Sequence, residues 1–189
     1  METEETHFLQ LSRSTAADIV EKASAAAFGQ PLVANYLRSQ IVEAMVAEAL
    51  APEWKWVSAS WAGWDFQSEA NDKLEVKQSA AKQTWAPVSG RNVKSSFDIA
   101  ARTGHWIGEK WIKGAGRNAD IYIFAHHPVD DETADHRDPK QWVFYVLAES
   151  SLRPTGQKTI SLSTIQKLTS AVTFVGLRDR VRQANADSI

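Results

Sequence analysis

The chain has 189 residues and a mass of 21.0 kDa, enough for one domain with a substantial core, so 1–189 is expected to fold as a single domain. Its 43% hydrophobic and 23% charged residues exclude disordered, collagenous and low-complexity classes, and zero Cys excludes disulfide scaffolds, thiolate metal sites and cysteine nucleophiles. A formal net charge of -2 means that any nucleic-acid site has to arise from charge segregation within the chain.

The absence of Cys suits a cytoplasmic protein. The opening METEETHF predicts no leader, and no run approaches the roughly 20 apolar residues of a membrane span. After it, Ser14 as N-cap, an alanine-rich run and Gly29 as a stop predict a helix over 15–28. This makes 1–30 a helical addition ahead of a core at 31–148. Pro31 suits the first turn of a second helix that runs through Leu50 and stops before Pro52. Apolar residues lie nearly all round this helix, so it is expected to be covered, and the carboxylates Glu43 and Glu48 within it need a reason to be there.

From Trp54 the pattern becomes extended, with Trp54, Trp56, Trp61, Trp64 and Phe66 in short pieces, and 67–72 forms a polar turn before a strand at 73–79. On that strand Leu74 and Val76 point one way, Glu75 and Lys77 the other. A strand is read at 95–100, a glycine-rich stretch at 104–116, and buried strands at 119–125 and 141–148, separated by an acidic surface loop. A short strand at 158–162, a helix capped by Ser163 and a frayed tail after Arg182 complete the chain. The adjacent His126 and His127 read as surface residues leaving a strand.

Charge is segregated along this order. Residues 73–118 carry nine Lys and Arg against three Asp and Glu, and Trp85, Phe97, Trp106 and Trp111 are interleaved with them. Basic and aromatic residues in alternation suit a nucleic-acid strand.

The chemistry-bearing constellation is Asp65, a polar turn, then Glu75-Val76-Lys77. On adjacent antiparallel strands the two carboxylates can meet and share a divalent ion, with the Val76 carbonyl as a further oxygen; such a donor set suits Mg²⁺. Lys77, on the same side as Glu75, can reach the attacking water or the charge that grows on a phosphoryl group. Taken alone, an acid two residues before a lysine also describes the solvent face of an amphipathic strand.

In this context the residues resemble the PD-(D/E)XK nuclease superfamily, the restriction-endonuclease-like fold. Asp65 matches the first acid and Glu75-Val76-Lys77 the acid-x-lysine element, while Trp64 stands where many members have proline. The resemblance covers about 31–148 and implies an αβββαβ core, an α/β fold (α+β by some counting) with a central mixed sheet flanked by helices. It further implies that Glu43, or else Glu48, is the helix acid and that Gln83 is the polar residue following the lysine. The implied activity is hydrolysis of DNA by a Mg²⁺-activated water, with Mn²⁺ as a substitute, by a restriction-type or defence endonuclease acting as a homodimer on duplex DNA. Lys82, Trp85, Arg91, Lys94 and Arg117 would hold the DNA backbone. An inactive structural or interaction protein on the same fold, and an RNA-directed or repair nuclease, are the alternatives.

Overall fold

The computed structural model describes residues 14–58, 62–85, 95–107, 109–152 and 156–186. The first helix, α1, spans Ala16–Phe28. Thr15 rather than Ser14 caps it: the Thr15 hydroxyl accepts from the Asp18 N–H at 3.2 Å and the Asp18 carboxylate accepts from the Thr15 N–H at 2.7 Å, a reciprocal capping box. No α1 residue is buried. Arg137 ties the end of the helix to the rest by donating to the Gly29 carbonyl at 2.9 Å.

The second helix, α2, begins at Asn35 rather than Pro31 and runs Asn35–Leu50. Its buried stripe is Arg38, Val42, Met45, Val46 and Leu50, with Glu43 beside it, while Ala44 faces out. Then come β1 (Trp54–Trp56), β2 (Phe66–Ser68) and β3 (Lys73–Ala80). Asn71, in the turn between β2 and β3, adopts the left-handed φ of 70°, which Asn tolerates better than most residues.

Three strands follow: β4 (Ser96–Asp98), β5 (Arg102–Ile107) and β6 (Lys110–Gly116). After them come β7 (Ile121–His127), β8 (Val143–Ala148) and β9 (Thr159–Ser161). The αβββαβ order puts a helix between its third and fourth core strands; among the described residues, the stretch between β3 and β7 holds β4 to β6 and no helix. The C-terminal part holds two helices, α3 (Leu162–Leu168) and α4 (Leu177–Ala186). Ser161, not Ser163, caps α3 by accepting from the Thr164 N–H at 3.2 Å. Of the end expected to fray after Arg182, residues 183–186 remain helical, since Val181 and Ala184 of α4 are buried in the core, and 187–189 lie outside the described residues.

The architecture is α/β. A five-stranded mixed sheet has the order β1-β2-β3-β7-β8, in which β3 and β7 are parallel and the other neighbours antiparallel. Alternation assigns its two faces. Leu74, Ile121, Ile123, Phe144 and Val146 pack beneath α2 and α4. Tyr122, Phe124, Tyr145 and Leu147 pack on the other side with Phe97, Ile160 and Ile165 from β4, β9 and α3. A sheet covered on both faces explains why β7 is apolar at nearly every position. No described helix is long and apolar enough to cross a membrane.

Candidate active site

The site starts at an irregularity in pairing. Phe66 is in register with Leu74, yet the Asp65 N–H also donates to the Leu74 carbonyl at 3.0 Å. Two residues of one strand thus oppose one of the other, the arrangement of a β-bulge, which bends the strand and re-aims a side chain. The Asp65 carboxylate turns toward β3 and accepts from the Val76 N–H at 2.7 Å. The N–H and C=O of one strand residue share an edge, so the Val76 carbonyl lies on this edge too.

Glu75 and Lys77 share the second face of the sheet, in register with Tyr122 and Phe124, and form an ion pair there. Glu43 approaches from α2, 6% exposed, and accepts from the Trp56 indole N–H at 2.9 Å and the Ser58 hydroxyl at 2.8 Å. Burial, then the Glu75 charge, then the Glu43 charge push the Asp65 carboxyl up to about 8; the Val76 N–H and Lys77 pull against this. Three acids therefore converge at the end of the β2–β3 hairpin, one of them strongly disfavoured as an anion. Tyr122 is raised as well, by burial first and by Glu75 second.

Asp65 and Glu75 open onto a cleft of about 630 Å³, within the size range of ligand sites. Asp65 and Glu75 form its floor, and Arg102, His105, Trp106 and Trp111 of the β5–β6 hairpin form a wall. The wall stands close because Gly63 has no side chain: a Cβ there would lie 2.5 Å from the Cβ of His105. A smaller recess of about 30 Å³ continues from Glu75 and Lys77 toward Asp98, Arg102, Asn118 and Tyr122.

The helix acid that approaches Asp65 is Glu43. Glu48 is exposed and lines a separate surface hollow with Arg178 and Arg182. Gln83 is engaged elsewhere: its Oε1 accepts from Arg38 at 3.0 Å and its Nε2 donates to the Ala80 carbonyl at 2.7 Å. Lys82 donates to the Asp131 carbonyl at 2.7 Å, and Trp85 is 56% exposed beyond the end of β3. Arg91 and Lys94 lie outside the described residues.

Arg117 corrects the expectation of an arginine free to reach phosphate. Its side chain is 1% exposed, and it donates to the Ile99 carbonyl at 2.8 Å and to Glu149 at 3.0 Å, so it holds β4 and β8 together. His126 and His127 are likewise buried, at 8% and 0% exposure, because β7 continues through them into the core.

Two features escaped the sequence reading. Arg38 is a buried cation, 1% exposed, held by the amide oxygens of Asn35, Gln78 and Gln83 at 2.6, 2.7 and 3.0 Å, with burial lowering it to about 10. The β5–β6 wall hides in a stretch whose glycines suggested loops, although Trp106 and Trp111 five residues apart, around Gly108-Glu109, signal a hairpin. Among the described residues no three His, Asp or Glu side chains form a ready-made metal cage. Comparison of the chain with family models, with curated proteins and with solved structures found no match.

Proposed function

We propose that this protein hydrolyses phosphodiester bonds of DNA with a divalent metal ion, as a nuclease of the PD-(D/E)XK type. One observation carries the reading: the bulge turns Asp65 toward β3, where it lines the floor of an open cleft with Glu75 and feels the charges of Glu43 and Lys77. The order α2, β1, β2, β3 and the parallel pairing of β3 with β7 support it further. The donors are all oxygen, the set preferred by Mg²⁺; burial is the first cause that raises Asp65, and a cation between the carboxylates would relieve the repulsion by Glu75 and Glu43 that adds to it. Asp65, Glu75 and the Val76 carbonyl would hold the ion, with Glu43 behind them.

The bound ion would supply an ionised water as nucleophile. The chain's own part is to position and to stabilise. Lys77 keeps a compact positive charge next to Glu75, where charge builds on the phosphoryl oxygens, and the cleft wall restricts how a strand can lie. Trp56 and Ser58 fix Glu43 through its Oε2, leaving its direction set before substrate arrives.

The test combines binding and turnover. Calorimetry should detect Mg²⁺ or Mn²⁺ binding to the wild type and not to an Asp65→Ala, Glu75→Ala double variant, and only the wild type should cut plasmid or single-stranded circular DNA. Equal metal binding by both proteins, or cleavage that survives the double substitution, would remove this site from the reaction. A folded wild type that binds no metal and cuts nothing would point instead to an interaction protein.

A further inference from the structure

We propose that the β5–β6 hairpin is a stacking platform that holds an unpaired nucleotide of a DNA strand beside Asp65 and Glu75. Its placement next to a cutting centre rests on the nuclease reading; its ability to bind does not. Among the described residues the hairpin pairs with itself and not with the central sheet. Trp106 and Trp111 face each other across it, and alternation puts Gly104 and Lys113, also in register, on the same side.

Three observations distinguish this face from ordinary packing. Trp54, Trp64 and Trp142 are buried, whereas Trp106 and Trp111 are 43% and 48% exposed. Their rings meet edge to face, with centroids 5.5 Å apart and planes at 65°, so the ring that offers its edge keeps both of its faces clear of its partner. The Trp111 ring rests on the bare Cα of Gly104, where a Cβ would come within 2.7 Å of it, so the ring is seated rather than loose.

Charge selects the occupant. Lys113 is exposed on the same face as the two rings, Arg102, paired with Asp98, lines the cleft beside them, and Lys110 stands exposed on the opposite face at the tip of the hairpin. Aromatic faces flanked by cations fit a polyanion with flat apolar bases, and both rings line the same cleft as the carboxylates. In a continuous duplex every base face is covered by its neighbours, so only an unpaired or unstacked base can occupy the platform. The substrate class is therefore a single-stranded tail, flap or gap. This differs from the uninterrupted duplex that the family resemblance implies.

The experiment uses the full chain carrying Asp65→Asn, in EDTA so that nothing is cut, and reads anisotropy of labelled single-stranded, blunt duplex and tailed duplex oligonucleotides. Single-stranded and tailed DNA should bind at least about 10-fold more tightly than blunt duplex. Trp106→Ala and Trp111→Ala should each weaken single-strand binding about 5- to 100-fold, the range for losing one stacked base, and leave duplex binding unchanged. Trp→Tyr at either position should restore most of the loss, which separates stacking from disruption of the hairpin. Equal affinity for single strand and duplex, or Trp→Ala variants as tight as their parent, would overturn the platform while metal-dependent cleavage stood. Strand preference in a wild type that never cuts would keep the platform and overturn the hydrolysis reading instead.

Discussion

Lys77 pairs with Glu75 and pulls against the upward push on the Asp65 carboxyl, so on the proposed reading it serves as a fixed cation beside the reacting phosphate. Lys77→Ala should leave the fold and metal affinity nearly intact, while single-turnover cleavage with Mg²⁺ falls by at least about 100-fold. Lys77→Arg keeps the charge without the compact shape and should restore little. Equal rates for wild type and Lys77→Ala would take the lysine out of the chemistry. The shared face of Glu75 and Lys77 could be read from the sequence because strand alternation is rigid, whereas the direction of Asp65 is set by a bulge that no alternation predicts. Arg117 could not be read either, because its long side chain takes its direction from Ile99 and Glu149, which no local pattern connects to it.

At the scale of elements, α2 does more than cover the sheet. Arg38 reaches from its first turns to Gln78 on β3 and Gln83 just beyond it, with Asn35 of its own helix as the third acceptor. No carboxylate shares this pocket's hydrogen bonds, so the stability of the contact depends on geometry rather than on ion pairing. Arg38→Met should therefore destabilise the fold by about 1–3 kcal/mol in chemical denaturation, by leaving the half-buried amide oxygens of Gln78 and Gln83 without their donor. Arg38→Lys should recover only part, since an ammonium cannot span the three acceptors as a planar guanidinium does. A variant as stable as wild type would show that the network is dispensable. Helix periodicity revealed α2 but misplaced its start, because Pro31 is an acceptable first-turn residue and nothing nearby contradicted it. The β5–β6 hairpin was lost for the opposite reason: its glycines speak for turns, and the pairing that overrides them is visible only between strands.

For the molecule as a whole, two sets of groups push metal-free stability in opposite directions with pH. Native Asp65, raised to about 8, keeps a proton that the unfolded chain releases near its ordinary value of about 4, so stability falls as pH rises across that window. His136 is wholly buried: its Nδ1 accepts from the Val33 N–H at 3.0 Å and its Nε2–H donates to the Lys82 carbonyl at 3.2 Å, leaving no place for a second proton. Burial lowers it to about 4, and burial lowers His126 and His127 too. The unfolded chain takes up protons on these histidines near about 6.5 and the native one does not, so stability falls as pH drops from there toward 4. Thermal melts in EDTA should show a maximum near pH 6.5. Asp65→Asn should abolish the decline from 6.5 to 8 and keep the acid-side loss; an unchanged decline would show that Asp65 is not the group responsible. Added Mg²⁺ should raise the wild-type midpoint at pH 8 and leave the Asp65→Asn midpoint unmoved.

Among the described residues the β5–β6 ribbon shares no ladder with the five-stranded sheet; His105 packs on Gly63 and Trp64, and Arg102 at its base pairs with Asp98. The tip of the ribbon, at Glu109 and Lys110, lies outside the pairing that holds Asp65, Glu75 and Lys77, so it can lengthen, shorten or be exchanged without disturbing that pairing. On the proposed reading, strand binding and hydrolysis are thus written in separate stretches of chain. A lineage carrying this arrangement could retarget itself through the ribbon, and a designer could exchange the tip of the hairpin with the proposed metal site left in place.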